Sequence, residues 1–141
     1  RMECGTLNLV GVAGLHAGVK WIQEKGIENL HKHEMLLWDK LRRGVQAIGN
    51  VITYCAHSTE NQNPVLSLNI SGFKSGDVGT ILDVDYNIAC RTGLQCAPLV
   101  HAGIGTDKIH GTVRLSIGPF NTEAEIETAI QAIAEIASIR N

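Results

Sequence analysis

The sequence predicts an α+β fold, a small and mostly antiparallel sheet covered by helices on one face. Apolar residues recur at helical spacing in separate stretches, and the strand-like runs between them are short and either β-branched or alternating. The succession reads helix, helix, strand, strand, helix, strand, strand, helix. It lacks the regular strand–helix–strand alternation of a parallel sheet.

Residues 9–25 carry Val12, Leu15, Val19 and Ile22 at helical spacing, with Asn8 as N-cap and Gly26 as terminator. Gly11, Gly14 and Gly18 weaken this helix, and their stripe of small residues predicts close packing by another backbone. A second helix is expected over 27–48, with Ile27, Leu30, Leu37, Trp38, Leu41, Val45 and Ile48 as its apolar set and His31, Lys32, His33 and Glu34 on the solvated face. His31 and His33 are two apart and point away from each other.

The β-branched run 51–55 reads as a strand, and 56–64 as a polar loop. Residues 65–70 alternate, placing Leu66, Leu68 and Ile70 on one face and Ser67 and Asn69 on the other. A short helix is expected over 77–86. A strand at Ile88 and Ala89 should end at Arg91, a Gly-rich loop should run from Gly93 to Gly111, and a strand should follow over 112–117. Thr122 with Glu125 three residues on is a capping box opening the last helix, whose buried stripe is Ile126, Ile130, Ile133 and Ala137.

A chain of 141 residues, 44% hydrophobic and 18% charged, suits one globular domain with a real core. The net charge is −2 and there is no basic block, so nothing points to nucleic acid or an anionic membrane surface. No apolar run approaches the roughly 20 residues of a membrane span, and no stretch reads as a signal peptide. Cys4, Cys55, Cys90 and Cys96 are irregularly spaced, which favours a reduced, cytoplasmic protein over a disulfide scaffold. The chain opens at Arg1 and reads like the middle of a longer one, so a fragment is expected.

The chemistry concentrates between Asn87 and Phe120. Cys55 and Cys90 sit within apolar runs and read as small core residues. Cys96 follows Gly93 and precedes Pro98, which suggests an exposed loop. There a thiol can serve as a nucleophile, its thiolate favoured by a nearby guanidinium. Arg114 shares a strand face with Thr112 and Ser116. It is either a solvated surface residue or a bidentate clamp for a carboxylate. Cys90, Cys96, His101 and His110 are possible metal ligands but match no standard zinc spacing. Gly103, Gly105 and Gly111 lack the lysine or fingerprint of a phosphate loop.

The segments Arg91-Thr92-Gly93-Leu94-Gln95-Cys96-Ala97-Pro98, Gly111-Thr112-Val113-Arg114-Leu115-Ser116 and Phe120-Asn121-Thr122-Glu123-Ala124-Glu125-Ile126 resemble the C-terminal part of cysteine desulfurases. These are pyridoxal-phosphate enzymes of the class V aminotransferase family. The opening Glu3-Cys4-Gly5-Thr6-Leu7-Asn8 is similar to that family's Glu-x-Gly-Thr-x-Asn stretch.

The resemblance implies the small domain of a fold-type I enzyme, spanning 1–141 and separated from its large cofactor-binding domain. It implies that Cys96 takes sulfur from substrate cysteine as a persulfide. Arg114 would bind the substrate carboxylate, and Arg91 would help orient the site. Gly5 and Thr6 would reach the cofactor phosphate of the neighbouring subunit in a homodimer. The short cysteine loop resembles the group that hands sulfur to a dedicated acceptor protein.

Two departures stand out. Gln95 occupies a place that is often histidine, and none of Lys20, Lys25, Lys32, Lys40, Lys74 or Lys108 sits in the Schiff-base motif. The isolated chain is therefore expected to be inactive, without metal and without bound pyridoxal phosphate. Two alternatives stay open. One is another class V reaction, an aminotransferase or selenocysteine lyase. The other is a non-enzymatic sulfur-carrier or metal-binding module.

Overall fold

The computed structural model describes residues 5–56, 59 and 62–139. Glu3 and Cys4 of the opening motif, and part of the predicted 56–64 loop, lie outside them. The chain divides into two compact units, residues 1–33 and 34–141.

In the first unit, helix α1 (Leu9–Lys25) starts and stops where the sequence says it should. The Asn8 side chain accepts the Gly11 N–H at 2.9 Å. Gly26, at φ +81°, donates its N–H to the Ile22 carbonyl. Among the described residues of this unit, the packing expected along the glycine stripe is not found. α1 has no buried residue, and no described atom lies within 4 Å of a Cβ built at Gly14 or Gly18. Helix α2 (Ile27–Gln46) begins in this unit, where His31 and His33 are exposed.

The second unit takes up α2 from Glu34. It continues with β1 (Val51–Tyr54), β2 (Val65–Ile70), α3 (Ser75–Tyr86), β3 (Arg91–Gly93), α4 (Pro98–Ile104), a 3-10 turn at Asp107–Ile109, β4 (Thr112–Ser116) and α5 (Glu123–Ser138). The four strands lie in the order β1-β2-β4-β3, and every pair is antiparallel. Leu66, Leu68, Ile70, Val113 and Leu115 from the sheet form one core with Trp38, Leu41 and Val45 of α2, Val78 and Leu82 of α3, and Ile126, Ile133 and Ile136 of α5. Trp38 is fully buried, and its indole N–H is satisfied by the Val65 carbonyl at 3.0 Å.

Polar contacts between helices fix the register of that layer. Lys40 bonds Glu123 and Glu127 of α5, both at 2.5 Å, and the Tyr86 hydroxyl donates to Glu135 at 2.6 Å. The capping box forms as predicted. Glu125 N–H donates to the Thr122 hydroxyl at 3.3 Å, and Thr122 N–H donates to the Glu125 carboxylate at 2.7 Å. The Thr122 N–H bond, with help from the Asn121 amide, holds the Glu125 carboxyl below the usual range.

Three expectations need correction. The strand anticipated at Ile88 and Ala89 begins only at Arg91, because Ile88 donates its N–H to the Leu82 carbonyl and closes the end of α3, with Asn87 left-handed at φ +54°. The anticipated Gly-rich loop holds the seven-residue helix α4, with Pro98 in its first turn and Gly105 left-handed at its end. Cys55 and Cys90 are half-buried just outside β1 and β3 rather than within strands.

Candidate active site

The sheet face away from the three core-forming helices is polar. Directly opposed residues of antiparallel strands share a face. The registers Tyr54↔Ser67, Ser67↔Arg114 and Arg91↔Arg114 therefore draw a single row of side chains across all four strands. The strand alternation predicted for Arg114 thus holds, and Thr112, two residues earlier, shares its face.

Two arginines opposite each other repel unless something negative lies between them. Neither Arg91 nor Arg114 makes an ion pair among the described residues. Arg91 is exposed and Arg114 half-buried.

The cysteine loop is built by a tight turn. The Ala97 N–H donates to the Leu94 carbonyl at 3.2 Å, which leaves Gln95 and Cys96 as the central pair. Gln95 has φ +54°, a left-handed conformation that glycine usually supplies at such a turn. Cys96, at the tip, is exposed as expected. The Gln95 side chain turns inward, where its Oε1 accepts a hydrogen bond from Arg114 Nη1 at 3.2 Å. The thiol is thus one residue along the chain from the group that holds the guanidinium.

The base of the loop is locked to β4 by two glycines. A Cβ on Gly111 (φ +88°) would lie 2.1 Å from the Gly93 carbonyl carbon and oxygen and 2.7 Å from Leu94 N. Only glycine allows this backbone approach. Asn69 fastens the same crossing from β2, donating to the Gly111 carbonyl at 3.1 Å.

Helix α4 roofs the polar face. Between them is a cleft of about 600 Å³, lined by Tyr54, Cys55, Ser67, Gln95, Ala97, Val100, His101, Ile104 and Thr112 among others. His101, which the sequence offered only as a poor metal candidate, is buried, and its Nδ1 lies 2.7 Å from Thr106 Oγ1. Thr106 in turn accepts the Gly111 N–H through its carbonyl at 2.8 Å. This relay ties α4 to the start of β4.

Three buried polar atoms here have no hydrogen-bond partner: Gln95 Nε2, Arg114 Nε and Thr112 Oγ1. Sequence reasoning noted Gln95 only as a departure and placed Thr112 on the face of Arg114 without giving it a role. The signal available was the strand alternation, which places Thr112 beside Arg114.

Cys90 is a different kind of thiol. Burial, and secondarily the Asp83 carboxylate, push its pKa up, which disfavours the reactive thiolate. No three His, Cys, Asp or Glu side chains gather as a possible metal site among the described residues. No helix among the described residues is long and apolar enough to cross a membrane. Gly5 and Thr6 are exposed, and no described atom lies within 4 Å of a Cβ built at Gly5. A second cleft of about 340 Å³, between β4 and α5, contains none of the predicted site residues.

An antiparallel sheet with helices on its core face is an arrangement shared with known proteins. The family model for aminotransferase class-V matches residues 1–128, and the chain belongs to that family. Within it, the chain is 33% identical to a probable cysteine desulfurase of Methanothermobacter thermautotrophicus, over 99% of this chain and 34% of that protein. It is 32% identical to another of Pyrococcus abyssi, over 96% and 33%. The apo cysteine desulfurase of Thermococcus onnurineus superposes with a TM-score of 0.90 at 33% identity, over 98% of this chain and 33% of that one. The cysteine desulfurase CsdA of Escherichia coli, in its S-sulfonic acid form, superposes at 0.83 and 25% identity, over 97% and 32%. The chain spans about a third of the length of these relatives.

Proposed function

We propose that this chain serves as the small domain of a pyridoxal-phosphate-dependent cysteine desulfurase, converting cysteine to alanine with transfer of sulfur to Cys96. The reading is carried by one observation: an exposed thiol at the tip of a turn whose preceding residue hydrogen-bonds a half-buried arginine that makes no ion pair among the described residues. On this reading the short loop carries the nucleophile and its neighbouring strand the carboxylate receptor.

Arg114 receives the substrate carboxylate and sets where the substrate sulfur points. Arg91, its register partner, adds positive charge at the rim. The Cys96 thiolate attacks the substrate sulfur. A sulfur–sulfur bond forms, the carbon–sulfur bond breaks with its electron pair left on carbon, and that carbon takes a proton to give alanine. Cys96 is left as a persulfide, which an exposed turn tip can present to a sulfur acceptor.

Pyridoxal phosphate, when bound, supplies the electron sink that weakens bonds at the substrate's α-carbon. Gly5 and Thr6 suit its phosphate, having a hydroxyl and an unobstructed backbone. The Schiff-base lysine belongs to the rest of the enzyme, so this chain alone is inactive and the working form is the full-length homodimer. The exposure of Cys96 favours sulfur transfer over simple transamination, in which a thiol has no task.

The test uses the full-length protein loaded with pyridoxal phosphate. Alanine and persulfide should form from cysteine, Cys96→Ser should abolish persulfide, and Arg114→Ala should raise KM. Unchanged sulfide yield in Cys96→Ser would overturn the assignment.

A further inference from the structure

Gln95 holds more hydrogen-bonding capacity than the turn uses. Its Oε1 must be the atom facing Arg114, since Nη1 is a donor and needs an acceptor. The amide Nε2 is then the free end, and it is buried without a partner. Arg114 Nε, on the same guanidinium that Gln95 contacts, is also buried without a partner. Thr112 Oγ1 completes the set, fully buried, two residues before Arg114 on the same strand face and lining the cleft that Gln95 lines. Buried donors left unpaired are costly, and each one in a native structure calls for an explanation such as a bound ligand, ion or water.

We propose that Gln95 is a ligand-binding residue, and that its Nε2 and Arg114 Nε together take the two oxygens of the substrate carboxylate, with the Thr112 hydroxyl as the third available donor. The identity of the ligand as cysteine rests on the desulfurase reading, whereas the donor pair does not. A carboxylate has two acceptor oxygens and no donor, which matches two orphaned N–H groups held by one hydrogen bond. The amide is neutral and does not titrate, so its donor persists at every pH at which the protein is folded. A histidine in its place would add a titratable group beside the guanidinium. The left-handed backbone at Gln95 turns its side chain to the guanidinium while the next residue, Cys96, stays at the surface.

The experiment compares full-length wild type with Gln95→Leu, which keeps the bulk and removes the donor, and with Gln95→Glu, which replaces the donor by an acceptor facing Arg114. Calorimetry measures two probes: 3-mercaptopropionate, which carries the carboxylate, and 2-aminoethanethiol, which lacks it. Both variants should bind 3-mercaptopropionate about 10- to 100-fold more weakly, the loss expected for one hydrogen bond to a charged group. Binding of 2-aminoethanethiol should stay within about twofold. In turnover, KM for cysteine should rise by the same factor with kcat little changed, the sign of lost uniform binding.

Equal affinity for 3-mercaptopropionate in all three proteins overturns the proposal. So does equal weakening of both probes, which would make Gln95 a structural residue, and so does failure of wild type to bind the carboxylate probe. Wild type that binds 3-mercaptopropionate through Gln95 but does not turn over cysteine would refute the desulfurase reading and leave the carboxylate site standing.

Discussion

Gly111→Ala is the sharpest test of how the cysteine loop is held. Two costs add at this position. The residue has φ +88°, where an L side chain costs roughly 1–2 kcal/mol. The new methyl would sit 2.1 Å from the Gly93 backbone, whereas ordinary van der Waals contact begins at 3.4 Å, so the two strands must part by about 1.3 Å, the difference of those distances. Backbone cannot swing aside as a side-chain tip can, and overpacking of this kind costs about 1–3 kcal/mol.

The sum, about 2–5 kcal/mol, is a large share of the stability of a domain this size. It should lower the urea midpoint of the chain, followed by the fluorescence of buried Trp38, without changing the slope. Gly103→Ala is the control. Gly103 lies in α4 with a negative φ and no described atom within 4 Å of its Cβ position, so alanine there should stabilise by about 0.5–1 kcal/mol. A Gly111→Ala loss below about 1 kcal/mol would refute the close approach of β4 to the turn.

Other consequences are as direct. Lys40 holds the Glu123 carboxyl low, and Glu123 and Glu127 hold the Lys40 ammonium high. The Glu123 contribution is therefore present above the unfolded carboxyl value of 4.5 and is lost as pH falls through the depressed folded value. The Lys40 contribution is present below 10.5 and is lost as pH rises through the raised folded value. A stability gap between wild type and Lys40→Met that failed to narrow below pH 4.5 would rule this clamp out. Glu135 likewise raises the Tyr86 phenol above 10.0, so ultraviolet titration should find the Tyr86 midpoint falling in Glu135→Gln. Limiting iodoacetamide should label exposed Cys96 well before Cys90, whose burial and neighbouring Asp83 disfavour its thiolate. Equal labelling of the two by mass spectrometry would contradict the burial of Cys90.

What the sequence disclosed, and what it concealed, follows the length of each signal. Both ends of α1, the capping box of α5 and the alternation of β2 come from local chemistry, and all were legible. Helix α4 was not, because seven residues do not establish a period. Its punctuation, Pro98 and Gly105, was nonetheless present in the sequence. Ile88 and Ala89 looked like a strand because they are apolar, yet Ile88 spends its N–H on the Leu82 carbonyl and packs on the core. The stripe of α1 was read as buried from spacing alone, which tells which residues share a face but not whether anything covers it. Gln95 shows the limit most clearly. Its contact with Arg114 spans 19 residues and depends on strand registers that no local pattern encodes.

The facing arginines of β3 and β4 make the site positive before any ligand comes. Charge of one sign gathered on one face of a sheet concentrates counter-ions there and speeds the capture of anions over neutral analogues. Such an advantage shrinks as dissolved salt shortens the reach of the field, to about 8 Å at physiological ionic strength. On the proposed reading, small inorganic anions are rivals of the substrate carboxylate for the same two side chains, so the ionic composition of the medium sets how much of the protein stands ready for it.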